Sequence, residues 1–229
     1  MLTTICDGVW ATVQEHYMSG RIYFPARMTA LRLGDGSLLL YSPVTIDDAL
    51  AEELAGHGPV AHIVAPSLLH HTWFQDACER YPEARFYGVP GLRERRPDLT
   101  IHEELWEQTP DALRDDVTLV PIRGVPKVGE LALVHKSSRS AVVADLVFNM
   151  SEYQNFQTRL LFRVVGAYKK LAQSRTWRFA TKDRTAHRES LQALLACEPE
   201  RLIPGHGDIV EGDVAERLHE AARWTLTEV

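Results

Sequence analysis

The tripeptide Gly34-Asp35-Gly36 sits between two apolar runs, Met28–Leu33 and Ser37–Ser42. That arrangement commits the first part of the chain to a hairpin, because glycine accepts the positive φ that tight turns require. Gly8–Gln14 alternates weakly and reads as a further strand, and Pro43 ends the run at Ser42 because it has no amide to donate. A second hairpin follows much later, Glu130–His135 and Ser140–Ala144 around Lys136-Ser137-Ser138-Arg139. Between the hairpins lie short strands at Ala61–Ala65, Ala84–Val89 and Val117–Ile122. Helices are expected from Thr45 or Asp47 to Leu54, from Thr72 to Arg80, over 157–173, over 185–196 and over 214–226, with a last strand at Arg201–Ile203. Strands first, then alternating helices and strands, with helices late in each half, suit sheets packed face to face with helices outside. No Gly/Ser/Pro-rich linker divides the chain, so 1–229 is read as one domain.

Three places put a metal-ligand residue type just past an expected strand: His70-His71, Asp145 and His206. Strand ends are where a rigid sheet fixes the origin of a side chain and a loop is free to aim it. Each has an ordinary reading alone. A histidine in Pro204-Gly205-His206-Gly207 can be a solvated turn residue, Asp145 a strand terminator, and His70-His71 one buried and one exposed ring. On a regular helix adjacent side chains diverge, whereas in a loop they can converge.

Taken together they resemble the metallo-β-lactamase superfamily. There a strand runs into a His-x-His-x-Asp-His loop, a histidine and then an aspartate follow later strands, and a Gly-His closes the site. Ile63-Val64-Ala65-Pro66-Ser67-Leu68-Leu69-His70-His71 is similar to that strand and loop. Gly124-Val125-Pro126 resembles the middle turn, Ala144-Asp145 the Gly-Asp step, and Pro204-Gly205-His206-Gly207 the last motif. Arg27-Met28-Thr29, Leu33-Gly34-Asp35-Gly36, Ser42-Pro43-Val44, His62-Ile63-Val64-Ala65-Pro66 and Tyr81-Pro82-Glu83-Ala84 add a resemblance to an uncharacterised branch of that superfamily with a degenerate metal motif. The likeness spans most of the chain in the right order. It implies an α/β fold, a four-layer αβ/βα sandwich.

Pro66, Leu68 and Val125 stand where the first metal's histidines would be, so the resemblance implies that this site is lost. His70 stands at the loop aspartate, and His71, Asp145 and His206 keep ligand types. The implied set is therefore His70, His71, Asp145 and His206 around one ion, Zn²⁺ or else Fe²⁺ or Mn²⁺, with Asp145 also a catalytic candidate. Such an ion would activate water for hydrolysis of an ester, thioester, lactone, amide or phosphoester. The alternative is a non-catalytic protein of the same fold that binds a small anion or a protein partner. No Gly-x-Ser-x-Gly elbow, P-loop or Gly-x-Gly-x-x-Gly fingerprint offers other chemistry. His102, His135 and His187 read as surface or packing residues. Asp208 and Glu211 read as helix caps before they read as supports for a ligand.

A net charge of −6 disfavours nucleic acid as a partner. Thr158–Arg184 departs from that balance, with Arg159, Arg163, Lys169, Lys170, Arg175, Arg178, Lys182 and Arg184 against only Asp183. It also carries an apolar stripe, and reads as a solvated face, a lid drawing in an anionic substrate, a homo-oligomer contact through 157–184, or a membrane-surface contact. No run approaches the length of a membrane span, and no leader is evident. Cys6, Cys78 and Cys197 are scattered and unpaired in pattern. A cytoplasmic location is expected.

Overall fold

A computed structural model describes residues 1–19 and 21–227. The first half begins with β1 (Thr3–Cys6), β2 (Val9–Gln14), β3 (Tyr17–Met18), β4 (Ile22–Tyr23), β5 (Ala26–Arg32) and β6 (Leu38–Tyr41). It continues with α1 (Asp48–Ala55), β7 (Val60–Ala65), α2 (Phe74–Arg80), β8 (Arg85–Gly88), α3 (Leu92–Arg95), β9 (Glu103–Glu104) and α4 (Asp111–Arg114). The second half holds β10 (Val117–Ile122), β11 (Glu130–His135), β12 (Ser140–Val143), α5 (Phe156–Val164), α6 (Arg175–Ala180), α7 (Arg184–Ala196), β13 (Arg201–Pro204), β14 (Val210–Glu211), α8 (Val214–Ala221) and α9 (Arg223–Leu226).

One sheet runs β1-β2-β5-β6-β7-β8-β9, the other β10-β11-β12-β13-β14, and β3 pairs only with β4. The hairpin expected around Gly34–Gly36 joins β5 to β6, with Thr29 opposite Tyr41 and Arg32 opposite Leu38. From β6 to β8 the strands are parallel and crossed by α1 and α2, which carry the chain from the end of one strand to the start of the next. Asp47 starts α1 by accepting the Leu50 amide at 2.8 Å.

Period-2 alternation sorts the second sheet into two faces. Leu131 and Leu133 of β11 and Val142 of β12 belong to the core shared with the first sheet. Ala132, Val134, Ala141 and Val143 point the other way, against Leu191 and Leu194 of α7 and Leu218 of α8. Leu50, Leu54, Phe74 and Ala77 of α1 and α2 pack on the first sheet. The layers are thus helices, sheet, sheet, helices, which is the four-layer αβ/βα arrangement.

Two expected helices are corrected. The helix expected over 157–173 stops at Val164. Gly166 has φ 78°, its amide donates to the Arg163 carbonyl at 3.2 Å, and the Ala167 amide reaches back to Phe162 at 2.9 Å. That pair of bonds is the Schellman closure, which turns the chain sharply. A new helix, α6, then starts at Ser174, whose hydroxyl accepts the Trp177 amide at 3.1 Å. The helix expected over 214–226 is interrupted at Ala222: the Ala221 carbonyl accepts the Gln173 amide at 3.3 Å, and the Thr225 amide turns to the Ala222 carbonyl at 2.9 Å instead. Arg184 donates to the Trp224 carbonyl and Arg188 to that of Thr225.

Candidate metal centre

Three loops, each leaving the end of a strand, bring His70, Asp145 and His206 together. After β7, the buried Ser67 hydroxyl accepts the amides of Leu69 and His70 at 3.1 and 3.0 Å. This local turn aims the His70 ring, and Ser42 Oγ lies 2.9 Å from its Nδ1. After β12, the amides of Ala144 and Asp145 both donate to the carboxylate of Glu130, each at 2.8 Å. Two consecutive amides on one carboxylate fix the backbone that carries Asp145. After β13, Gly205 lets the chain pass against Ala144, and His206 Nδ1 lies 2.6 Å from the Pro25 carbonyl.

Arg27 brackets the last loop. Its Nη1 donates to the Pro204 carbonyl and its Nη2 to that of Gly207, each at 2.5 Å, and its backbone amide donates to Gly205 at 2.9 Å. The rings of Phe24 and Phe148 close on His206, with centroids 4.1 and 5.5 Å away.

The inner atoms converge tightly. His70 Nε2 is 3.1 Å from His206 Nε2, and the two Asp145 oxygens are 3.4 Å from one imidazole each. All three side chains are nearly buried. Pro25 offers only an acceptor, so His206 Nδ1 carries a proton and its Nε2 faces inward. Two imidazole nitrogens and a carboxylate crowded this closely among nearly buried side chains are stabilised by positive charge between them. A divalent cation fits. Ligand bonds of about 2.0–2.2 Å in a tetrahedron place donor atoms about 3.3–3.6 Å apart; here the imidazole nitrogens are 3.1 Å apart, each is 3.4 Å from a different Asp145 oxygen, and one atom from each of the three residues lies within 4.8 Å of the others.

Without a cation the charge is carried by protons. Burial lowers His70, but the Asp145 carboxylate outweighs it and holds the imidazole above its ordinary value. Burial wins at His206, which is lowered. Against its own burial, Asp145 is held well below the usual carboxylate range by His70 and His206. Glu130, fully buried and beside Asp145, is pushed up to about 7.

The structure does not bring His71 into this cluster. Its Nδ1 lies 2.8 Å from Arg96 Nη1, and burial with that guanidinium lowers its pKa. The expected four ligands are therefore three convergent donors. Val125 is buried in the core beneath the second sheet and Leu68 lines the neighbouring cavity, so apolar side chains occupy two of the positions where the resemblance lacks its histidines. His102 stacks on Phe86, while His135 and His187 are buried among hydrogen-bond partners. Asp208 and Glu211 cap no helix: the Asp208 amide and carbonyl bond Asn149, and Glu211 lies 3.4 Å from Arg201.

Glu130, Ser42, Ser67 and Arg27 all act on the cluster and were not singled out for that in the sequence reading. A charged residue opening the apolar strand run at Glu130 is the one local hint. The others act through contacts with residues far along the chain.

The cluster opens on a cavity of about 780 Å³ walled largely by apolar side chains, among them Phe24, Leu68, Leu69, Trp73, Phe148 and Trp177, with Arg95 and Lys127 as cations.

The chain is similar in fold to solved metallo-β-lactamases. The metallo-β-lactamase from Pontibacter korlensis is 12% identical with a TM-score of 0.67, covering 100% of this chain and 99% of that one. FIM-1 from Pseudomonas aeruginosa, solved in a mono-zinc form, is 13% identical with a TM-score of 0.68, covering 100% and 96%. The enzyme from Erythrobacter litoralis is 15% identical with a TM-score of 0.67, covering 97% and 96%. The chain has the metallo-β-lactamase fold. Residues 6–92 match a family model described as a domain of unknown function, DUF4336. No curated protein matches the sequence. Among the described residues no helix is long and apolar enough to cross a membrane.

Proposed function

We propose that the chain is a metal-dependent hydrolase in which His70, Asp145 and His206 hold one ion, zinc first and iron or manganese otherwise. One observation carries this reading: the three donors are spaced as the edges of a tetrahedral site and supply only three of its four corners. Structural zinc sites are closed by four protein ligands, whereas catalytic ones keep a corner open. With His71 turned to Arg96, the open corner remains. A bound ion would supply Lewis-acid chemistry there, activating water and polarising the scissile bond.

The chain's own groups do the rest. Ser42 and the Pro25 carbonyl orient the two imidazoles through their outer nitrogens. Phe24 and Phe148 keep bulk water from His206. The apolar walls suit an acyl substrate with a hydrophobic body, an ester, thioester or lactone, ahead of a phosphoester. Lys127 and Arg95 would receive an anionic group on it.

We read residues 1–229 as one such domain and place it in the cytoplasm, in keeping with three free cysteines. Phe156, Leu160 and Val164 form an exposed apolar stripe on α5, which supports self-association through 157–184.

Metal analysis of protein purified without chelators tests the core of the proposal. About one equivalent of metal is expected, lost in His70→Ala and His206→Ala. Hydrolysis of a panel of esters and lactones is expected to disappear in Asp145→Ala. Metal-free protein that takes up no zinc, iron or manganese on addition would overturn the reading and leave a non-catalytic protein of this fold.

A further inference from the structure

Ser174, Thr176, Trp177 and Ala180 of Thr158–Arg184 line the cavity over the metal centre, but none of the segment's basic residues does. Much of its basic excess faces a second cavity, of about 920 Å³, on the other side of α6: Trp177 lines the first cavity and Arg178 the second. Five segments deliver cations to its wall. Lys169 and Lys170 come from the turn after α5, Arg178 from α6, Arg184 from the start of α7, Arg217 from α8 and Arg223 from α9. Glu220 is the one acidic residue among the lining side chains. The chain as a whole carries a net charge of −6, so this convergence runs against its overall balance.

Surface lysines and arginines are ordinarily interspersed with carboxylates. Here none of the six forms an ion pair among the described residues, although eleven such contacts occur elsewhere. Two of the guanidiniums are also held in place. Arg178 and Arg184 lie over the Trp224 indole, 5.6 and 5.9 Å from its centre, and Trp224 Nε1 is anchored on Gln173 at 2.8 Å. Arg184 Nη2 donates to the Trp224 carbonyl, while its buried Nε has no partner. A concave wall of fixed like charges focuses the field and raises the free energy of the empty site. An anion with several charges relieves that repulsion and satisfies the guanidinium forks.

We infer that this cavity is a binding site for a small oligophosphate, a ligand carrying two or more linked phosphate groups, separate from the metal centre. The six cations outnumber what a single carboxylate or phosphate needs. A volume of about 920 Å³ suits a small molecule, and the net negative charge of the chain would repel a long nucleic acid beyond the site. Asn149 lines the same cavity and its amide donates to the His206 carbonyl at 3.2 Å, so the ligand would lie behind the loop that carries His206.

Isothermal titration of metal-free protein with inorganic tripolyphosphate tests this. Saturable 1:1 binding is expected, together with a rise in Tm. Affinity should fall at least about 10-fold in Arg178→Ala and in Arg217→Ala. Charge reversal in Arg178→Glu/Arg217→Glu should abolish binding without lowering the ligand-free Tm, since it removes repulsion. Arg80→Ala, on the far helix α2, should bind as the parent does. Tripolyphosphate binding that is the same before and after zinc is added separates this site from the metal centre, so the proposal stands or falls independently of the hydrolase. Undiminished binding in the double reversal overturns it. So does a single-stranded RNA that binds more tightly than tripolyphosphate.

Discussion

A side chain on Gly205 would begin 2.9 Å from Cε1 of His70 and 2.8 Å from the Ala144 carbonyl oxygen. Real Cβ contacts are wider than this, so the glycine sets how near the His206 loop comes to the other two donors. Gly205→Ala is expected to push His70 and the Ala144-Asp145 backbone apart. The forecast is a stability loss of about 1–3 kcal/mol from overpacking and metal affinity reduced at least about 10-fold. Urea unfolding and competition with a zinc chelator measure the two. Unchanged zinc affinity would show that the close approach is incidental.

Glu130 acts on Asp145 from beneath. Its carboxylate accepts two amides, while an amide side chain has only one oxygen and would turn its NH₂ towards the other donor. Glu130→Gln should therefore leave one backbone amide unpaired in a fully buried place. The expected cost is about 1–3 kcal/mol, with metal affinity lowered by about 10–100-fold. Stability and zinc binding equal to the parent's would remove Glu130 from the account.

Ser42 reaches only the outer nitrogen of His70. Ser42→Ala should spare the fold, with a change of about 1 kcal/mol or less, yet weaken metal binding by about 10-fold because the ring loses its orienting partner. Titration with zinc against an indicator checks the prediction. A large fall in Tm with unaltered zinc affinity would assign Ser42 to structure alone.

His187 provides the pH dependence. It is fully buried, and its Nε2 receives Trp177 Nε1 at 3.1 Å and faces Gln173 Nε2 at 3.0 Å. Burial pushes its pKa down from 6.5 to about 4. Between those values the unfolded chain binds a proton that the folded chain refuses. The stability contribution is therefore complete above pH 6.5 and is lost as the pH falls to about 4, by up to about 3 kcal/mol. His187→Gln, which keeps an acceptor for Trp177, should lose less stability than the parent between pH 7.5 and pH 4.5. His62 and His135 are lowered as well and leave a residual slope in both proteins, which Glu130, pushed up to about 7, opposes in both. Parallel stability profiles for parent and variant would refute the assignment.

Much of the architecture is legible locally. The short apolar runs Val117–Ile122 and Glu130–His135 coincide with β10 and β11, and Asp47 marks the start of α1, because strand composition and capping depend on residues a few positions apart. Gly166 was equally readable as a helix stop, but the apolar run around it favoured continuation, and the expected helix over 157–173 failed there. The break at Ala222 was not readable, since it depends on the amide of Gln173, far along the chain, reaching the Ala221 carbonyl.

The candidate centre divides in the same way. Strand ends followed by His70-His71, Asp145 and His206 can be picked out along the chain, since the residue types and their order are local facts. Which of two adjacent histidines turns inward is not. Both follow the same strand, and the choice falls to partners elsewhere: Ser42 lies against His70, and Arg96 lies against His71. The clamp of Glu130 on Asp145 and the gathering of six cations on one cavity belong to the same class. Periodicity is written within a few residues, but the direction of a loop side chain is set by groups that only folding brings within hydrogen-bond reach.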